Sequence, residues 1–462
     1  MMKNEVKEST ANPPEGRQFS TKMGVLLVAL GSAVGLGNIW KFPALTGMNG
    51  GAAFVLLYLL CTLVLGLPVM IAEHAMGREG RKDAVGTMLK LAPKSLWWVI
   101  GGMGVLAAFL IMAFYSEVAG WVVAYISKAI TIGKLSTSPE TNSKIFTDLV
   151  TNPMQSLIWQ WVVLLLTGII IALGIVKGIE ATIKRALPLL FILLVIVIIR
   201  SVTLPGAAAG LTFLFKPDWS KVTFNTVLIA LGLAFFKLSV GMGCMMTYGA
   251  YFRKDQNIPA TATRIVLLDL LISMMAGLAI FPAVFALGFE PKAGASLLFI
   301  TIPAVFASMP FGNVFMVIFF LLTALAATGA ILSLLEVITA FLEGRFKLSR
   351  KVATLITIAT VALFGAPAAL SNSTTANWTI FGKTFFDFYD YVTSNILLTV
   401  GGLLIAVFVG WVWGYPKLSA QLTNGGTLKN EKVVKFFFFM LKFVTPVLIF
   451  LILLSGFGLF KS

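Results

Sequence analysis

Gly31-Ser32-Ala33-Val34-Gly35-Leu36-Gly37-Asn38 lies in the middle of an otherwise apolar stretch, residues 24–48. Glycine destabilises a helix and tolerates dihedrals that other residues avoid, so Gly31, Gly35 and Gly37 predict a break there. At membrane depth, unwound backbone is tolerated only where it faces protein or a wet cavity. A second cluster, Gly241-Met242-Gly243, follows Ser239 and interrupts residues 223–252 in the same way. Interrupted helices at matching places in two halves point to an inverted repeat around a central binding site. Close helix packing through small residues is the competing explanation, and composition does not separate the two.

The surrounding chain is a membrane protein by composition. Of 462 residues, 58% are hydrophobic and 12% are charged, against about 45–50% and about 25% in soluble domains. That composition excludes the soluble, disordered and collagenous classes, and the two cysteines, Cys61 and Cys244, both in apolar stretches, leave no disulfide framework. Residues 1–22 are polar and show no signal-peptide pattern. They are expected to form a tail before a single transmembrane domain, 23–462. Eleven spans are predicted, at 24–48, 52–78, 97–130, 156–176, 183–204, 223–252, 260–288, 311–343, 350–370, 387–414 and 433–459. Repeat one would cover 23–204, repeat two 223–414, and the last span would stand outside both. The polar loop 131–155 is predicted outside. Residues 289–310, broken by Pro291, Pro303 and Pro310, would form an external lid.

Charge sets the orientation. With the N-terminus cytoplasmic, the inner segments hold 24 of the 35 lysines and arginines, the outer ones 9, and Lys41 and Lys237 lie within spans. Such a bias predicts N-in and C-out in a plasma (inner) membrane. The net charge of +16 is therefore read as topology. Nucleic-acid binding would need a basic face on a soluble domain, and no such domain is visible.

Residues 31–43, GSAVGLGNIWKFP, are similar to the first-helix signature of the neurotransmitter:sodium symporter family, especially its bacterial amino-acid transporters. Residues 49–54 (NGGAAF), 68–78 (PVMIAEHAMGR), 238–248 (LSVGMGCMMTY), 276–285 (AGLAIFPAVF) and the Asp387/Asp390 pair extend the resemblance from about residue 17 to the end. It implies the leucine-transporter fold: all-α, eleven spans, a 5+5 inverted repeat with helices 1 and 6 broken, and one extra helix. It also implies a substrate site. The amino-acid carboxylate would meet the backbone N–H groups of Leu36 and Gly37 and the hydroxyl of Tyr115. The ammonium would meet carbonyls around Ala33 and Phe236 and the hydroxyl of Ser239. Ser32, Ile111, Met242, Ala330 and Leu334 would line the side-chain pocket, which suits a hydrophobic or small neutral amino acid. Ordinary core packing explains Ile111, Met242 and Leu334 equally well without the resemblance. Lys41 and Asp390 match the outer gate, a lysine standing where the family more often has arginine. Phe236 over Tyr115 would form an aromatic lid. Arg17 and Glu343 lie near the inner-gate positions, each displaced by one residue.

Both of the family's sodium sites look altered. At site one Ala33, Asn38 and Asp269 match, but Lys237 stands where a small hydroxyl residue is usual. A mid-membrane lysine costs about 2.5–3.5 kcal/mol on insertion scales and marks function when paired. Its ammonium is expected to replace the first sodium, donating to the substrate carboxylate, Asn38 and Asp269. The bland alternative is that it merely neutralises Asp269 or Glu117. At site two Gly31, Val34 and Ala326 match the carbonyl positions. Gly329 and Ala330 stand where two hydroxyls belong, and Thr328 is one residue early. The one metal expected is a weakly held sodium. Ser273 stands at the seventh-span position that animal relatives use for chloride; chloride is not expected, because Asp269 already supplies a fixed negative charge nearby. His74, the only histidine, is read as structural, as are Glu73 and Glu336. Glu117 is left without an assigned partner.

A secondary transporter is thus expected, with sodium coupling weakened or lost. An ordinary sodium symporter with a rearranged second site and a transport-dead amino-acid receptor stay open. No filter ring supports a channel, and no nucleophile–base pair or metal cluster supports an enzyme. The partners expected are an amino acid and the lipid bilayer. Oligomeric state is not legible.

Overall fold

The computed structural model describes residues 18–131, 136–289 and 297–456. Thr21 caps the first helix by accepting the Gly24 N–H at 2.9 Å. The helix runs over Lys22–Ala33 and stops where Val34 turns extended, at φ −83° and ψ 105°. It resumes at Gly37–Met48, bent by 49°. Inside the break the Asn38 Oδ1 accepts the Gly35 N–H at 3.1 Å, a side chain standing in for a lost carbonyl. The sixth span divides in the same manner into Phe224–Lys237 and Cys244–Ala250. Between them Ser239, Gly241 and Gly243 all have φ between 52° and 79°, a left-handed run through which no helix can continue. The N–H groups freed there are not left bare. Glu73 on the second span accepts from Gly241 at 2.6 Å and from Met246 at 3.2 Å.

Nine further helices are long and apolar enough to cross a membrane. Among the described residues the bent pair Lys22–Ala33 and Gly37–Met48 adds a tenth, and the shorter apolar helix Phe224–Lys237, the first half of the broken sixth span, is consistent with the expected eleven. The only bridge of β type among the described residues joins Ile380 and Lys383. Two boundaries differ from expectation. The fifth span starts at Ile175, eight residues early, because Glu180 is buried by partners from the N-terminal segment (below). The tenth runs Phe385–Leu422, turning at Gly414 (φ 82°) and burying Leu418 and Leu422 beyond it. The 131–155 loop contains a helix, Pro139–Val150, capped by Ser138. In the proline-broken segment, Leu297–Ala307 is helical, and Phe299 packs against Trp121, Tyr125, Phe146 and Phe320. Pro291 lies outside the described residues.

Candidate functional site

The two breaks face each other across the third span. Tyr115 accepts the Leu36 N–H at 2.9 Å. A Cβ on Gly35 would meet the Tyr115 hydroxyl at 3.0 Å and the Ala330 Cβ at 3.1 Å, so glycine is what lets the broken backbone approach both. Ser239 donates to the Ser32 carbonyl at 2.8 Å, joining the two breaks directly. Its own N–H goes to the Phe236 carbonyl at 3.2 Å. Ser32, Ala33, Ile111, Met242 and Leu334 are buried, and Ala330 is half-buried against the same core. The structure thus brings Leu36, Gly35, Tyr115 and Ala330 together and joins Ser32 to Ser239; the Phe236 ring lies under the Lys41 ammonium, 4.0 Å from its centroid. Replacing Tyr115 by phenylalanine strands a buried N–H. Such a group costs about 1–3 kcal/mol, so the variant should unfold at a lower temperature than the wild type in a thermal melt, and a ligand carboxylate that takes up the freed Leu36 N–H should recover part of the loss.

Lys237 lies at the end of the first half of the sixth span, and its stem runs against Gly37, where a Cβ would meet its Cγ at 3.3 Å. Its side chain and that of Asp269 are both fully buried, with Nζ 3.2 Å from Asp269 Oδ2. It also donates to Tyr58 Oη at 2.9 Å and to Ser273 Oγ. Three donors thus find three acceptors, which is what a buried ammonium requires. The acceptor set corrects the expectation. Asn38 takes no hydrogen bond from Lys237; it donates through Nδ2 to Asp269 Oδ1 at 2.7 Å and to Ser273 at 3.2 Å. Its oxygen is already engaged by the Gly35 N–H, so the ammonium turns to Asp269, Tyr58 and Ser273 instead. The bland pairing with Glu117 is also absent among the described residues.

At the second ion position the helices touch. A Cβ on Gly329 would run into the Gly31 carbonyl oxygen, so this glycine lets the eighth span lie directly on the first. Thr328 spends its hydroxyl on the Ala324 carbonyl, 2.8 Å away within its own helix. Ser333 likewise donates to Gly329 at 2.9 Å and accepts from Tyr248 at 2.9 Å. Val34 and Ala326 are buried nearby in the core.

The outer-gate pair is in place: Lys41 Nζ lies 3.8 Å from Asp390 Oδ1, with both side chains partly exposed. Arg17 lies outside the described residues. Its expected partner Glu343 meets Arg350 at 3.3 Å, and Arg350 also holds Glu336 at 2.5 Å, with Tyr251 donating to Glu336 at 2.7 Å. A further contact at this end went unread in the sequence. Glu180, buried at the start of the fifth span, accepts from the Ser20 N–H at 2.8 Å and pairs with Lys184 at 2.5 Å. At the foot of the first span Lys22 meets Asp255 at 3.0 Å. Hydrogen bonds from Lys22 and Arg253 hold the Asp255 carboxyl below the ordinary carboxylate range. The missed residues are thus Tyr58, Glu180 and Arg350. Tyr58 carried a signal, as one hydroxyl in an apolar run; the other two looked like loop charges.

Comparison with known proteins agrees with this geometry. A crystal structure of MhsT in complex with L-phenylalanine superimposes with a TM-score of 0.88 and 41% identity, covering 95% of this chain and 99% of that one. An uncharacterised sodium-dependent transporter of Bacillus subtilis, YhdH, is 38% identical over 96% of this chain and 98% of its own length. An uncharacterised sodium-dependent transporter of Haemophilus influenzae is 38% identical over 97% and 99%. The rat sodium- and chloride-dependent GABA transporter 2 is 25% identical over 91% and 77%. The profile described as the sodium:neurotransmitter symporter family matches residues 16–148 and 148–462. With both broken helices, the intervening tyrosine and nearly the full length accounted for, the chain belongs to the sodium:neurotransmitter symporter family.

Proposed function

We propose that this chain is a secondary active transporter of hydrophobic or small neutral amino acids, working by alternating access with sodium coupling weakened or lost. The observation that carries the reading is the Lys237 ammonium, fully bonded to Asp269, Tyr58 and Ser273 beside the first break. It puts a resident positive charge where relatives would bind an ion. The contact between Gly329 and the Gly31 carbonyl supports the loss of the second site, since no hydroxyl projects there. The apolar lining from Ile111, Met242 and Leu334 supports the substrate class, as does L-phenylalanine in MhsT. In this reading the chain sits in the plasma membrane with its N-terminus cytoplasmic and its C-terminus outside, and needs no chloride.

A second reading, ordinary sodium symport through a rearranged second site, is favoured by the names of the two bacterial relatives. Uptake of labelled amino acids into proteoliposomes separates the two. With sodium replaced by choline, uptake should persist, and its rate should follow pH or internal amino acid instead. Strict dependence on a sodium gradient would establish the second reading. Saturable counterflow is expected under both, and its absence would leave a receptor.

A further inference from the structure

We propose that the groove between the third, eighth and ninth spans and the short helix Ala84–Leu91 is a binding site for one acyl chain of an anionic phospholipid. The cavity measures about 590 Å³, within the range of small-molecule pockets. Its wall is almost wholly apolar, Arg345 and Thr360 being its polar residues, and it includes no residue of the substrate site. Trp98 and Leu89 stand at one end, Val105 along the middle, and Phe109 and Phe364 at the other, their rings 5.6 Å apart. From residue 98 to residue 109 the third span rises about 17 Å. That is close to the depth of one leaflet, about 15 Å of hydrocarbon.

Charge identifies the head group. The end marked by Trp98 also holds Arg345, exposed at the close of the eighth span. Among the described residues Arg345 has no ion-pair partner. Lys90, Lys347 and Lys351 are exposed on the same side. Of the nearby acids, Glu343 meets Arg350 and Asp83 accepts the Gly86 N–H through Oδ1 at 3.0 Å, its other oxygen lying against Gly344; the Lys90 ammonium donates to the Glu79 and Gly80 carbonyls. A lone guanidinium at the mouth of a leaflet-deep apolar slot suits a phosphate with its chain inserted below.

The position gives the lipid leverage on transport. The groove wall at Ala84 and Val85 presses on the third span at Gly101, where a Cβ would meet Val85 Cα at 2.6 Å. The same turn lies against Gly243, in the break of the sixth span, where a Cβ would sit 3.5 Å from Ala84 Cβ. A chain in the groove therefore braces the helix that backs the break.

The test reads Trp98 fluorescence in the full chain, reconstituted in phosphatidylcholine vesicles containing brominated phosphatidylglycerol or brominated phosphatidylcholine. The signal of a Trp98→Phe protein is subtracted. Half-maximal quenching should need about fivefold less of the anionic lipid, the effect of one basic residue near the surface. Arg345→Gln should bring the ratio to unity. Gly102→Leu, which fills the groove where only the Trp98 ring lies near, should abolish the preference with Arg345 intact. Equal quenching by both lipids in the wild type overturns the proposal. So does a preference that survives Gly102→Leu, because the charge would then be attracting lipid without inserting a chain.

Discussion

Lys237→Ser should turn transport sodium-responsive. The substitution removes the ammonium but leaves Asp269, with zero side-chain exposure, facing Asn38 and Tyr58. Taking one partner from a buried ion pair costs about 3–5 kcal/mol, so in choline the variant should unfold at lower temperature and transport poorly. A sodium ion can repair the deficit, because serine returns a hydroxyl oxygen near the Asp269 carboxylate, the Tyr58 hydroxyl and the Ser273 hydroxyl. Added sodium should therefore raise both thermal stability and uptake in Lys237→Ser while changing little in the wild type. Lys237→Met, which restores neither charge nor oxygen, should stay impaired with or without sodium. If Lys237→Ser keeps wild-type uptake and the same ion dependence, the resident-cation reading fails.

Glu73→Ala should abolish transport without touching any residue of the substrate pocket. Its carboxylate holds the Gly241 and Met246 N–H groups at 2.6 and 3.2 Å. Both sit where the sixth span has no helical acceptor to offer. Each buried, unsatisfied N–H costs about 1–3 kcal/mol, and the volume lost adds to this. The break should then relax towards other conformations and lose the alignment of Ser239 with Ser32. Glu73→Gln keeps one acceptor but turns an NH₂ group towards the other N–H, so it should be intermediate. Counterflow measured beside thermal unfolding checks the order. Wild-type counterflow in Glu73→Ala would show that the break is held by packing alone.

The residues that stop helices were the legible part of this chain. Glycine clusters at 31–37 and 241–243 placed both breaks, and Lys237 with Asp269 announced itself as charge within apolar runs. Lys41 and Asp390 were found by the family resemblance and lie within ion-pair distance. What stayed hidden depends on partners distant in the chain. Ser20 and Glu180 are 160 residues apart, so from sequence Glu180 reads as a loop acid and the fifth span as starting at 183 rather than at Ile175. The acceptors of Lys237 were misjudged for a local reason. The break in which Asn38 sits consumes its amide oxygen through the Gly35 N–H, a bond that composition and spacing do not reveal. Burial of the Glu336 and Glu343 carboxylates against Arg350 was likewise invisible, since an arginine opening a helix after a short loop carries no mark of its partner.

The buried ammonium has a consequence for energetics. A co-transported sodium ion carries charge across the membrane, and each elementary charge moved through 100 mV is worth about 2.3 kcal/mol. Lys237 is covalently part of the chain and does not leave with the substrate. A transporter that moves a zwitterionic amino acid beside a tethered cation completes its cycle without net charge transfer. On the proposed reading, with Lys237 in the ion's place and no proton carried along, the exchange would be electroneutral: the membrane voltage would neither drive nor oppose it, and concentration differences alone would set the direction of flow.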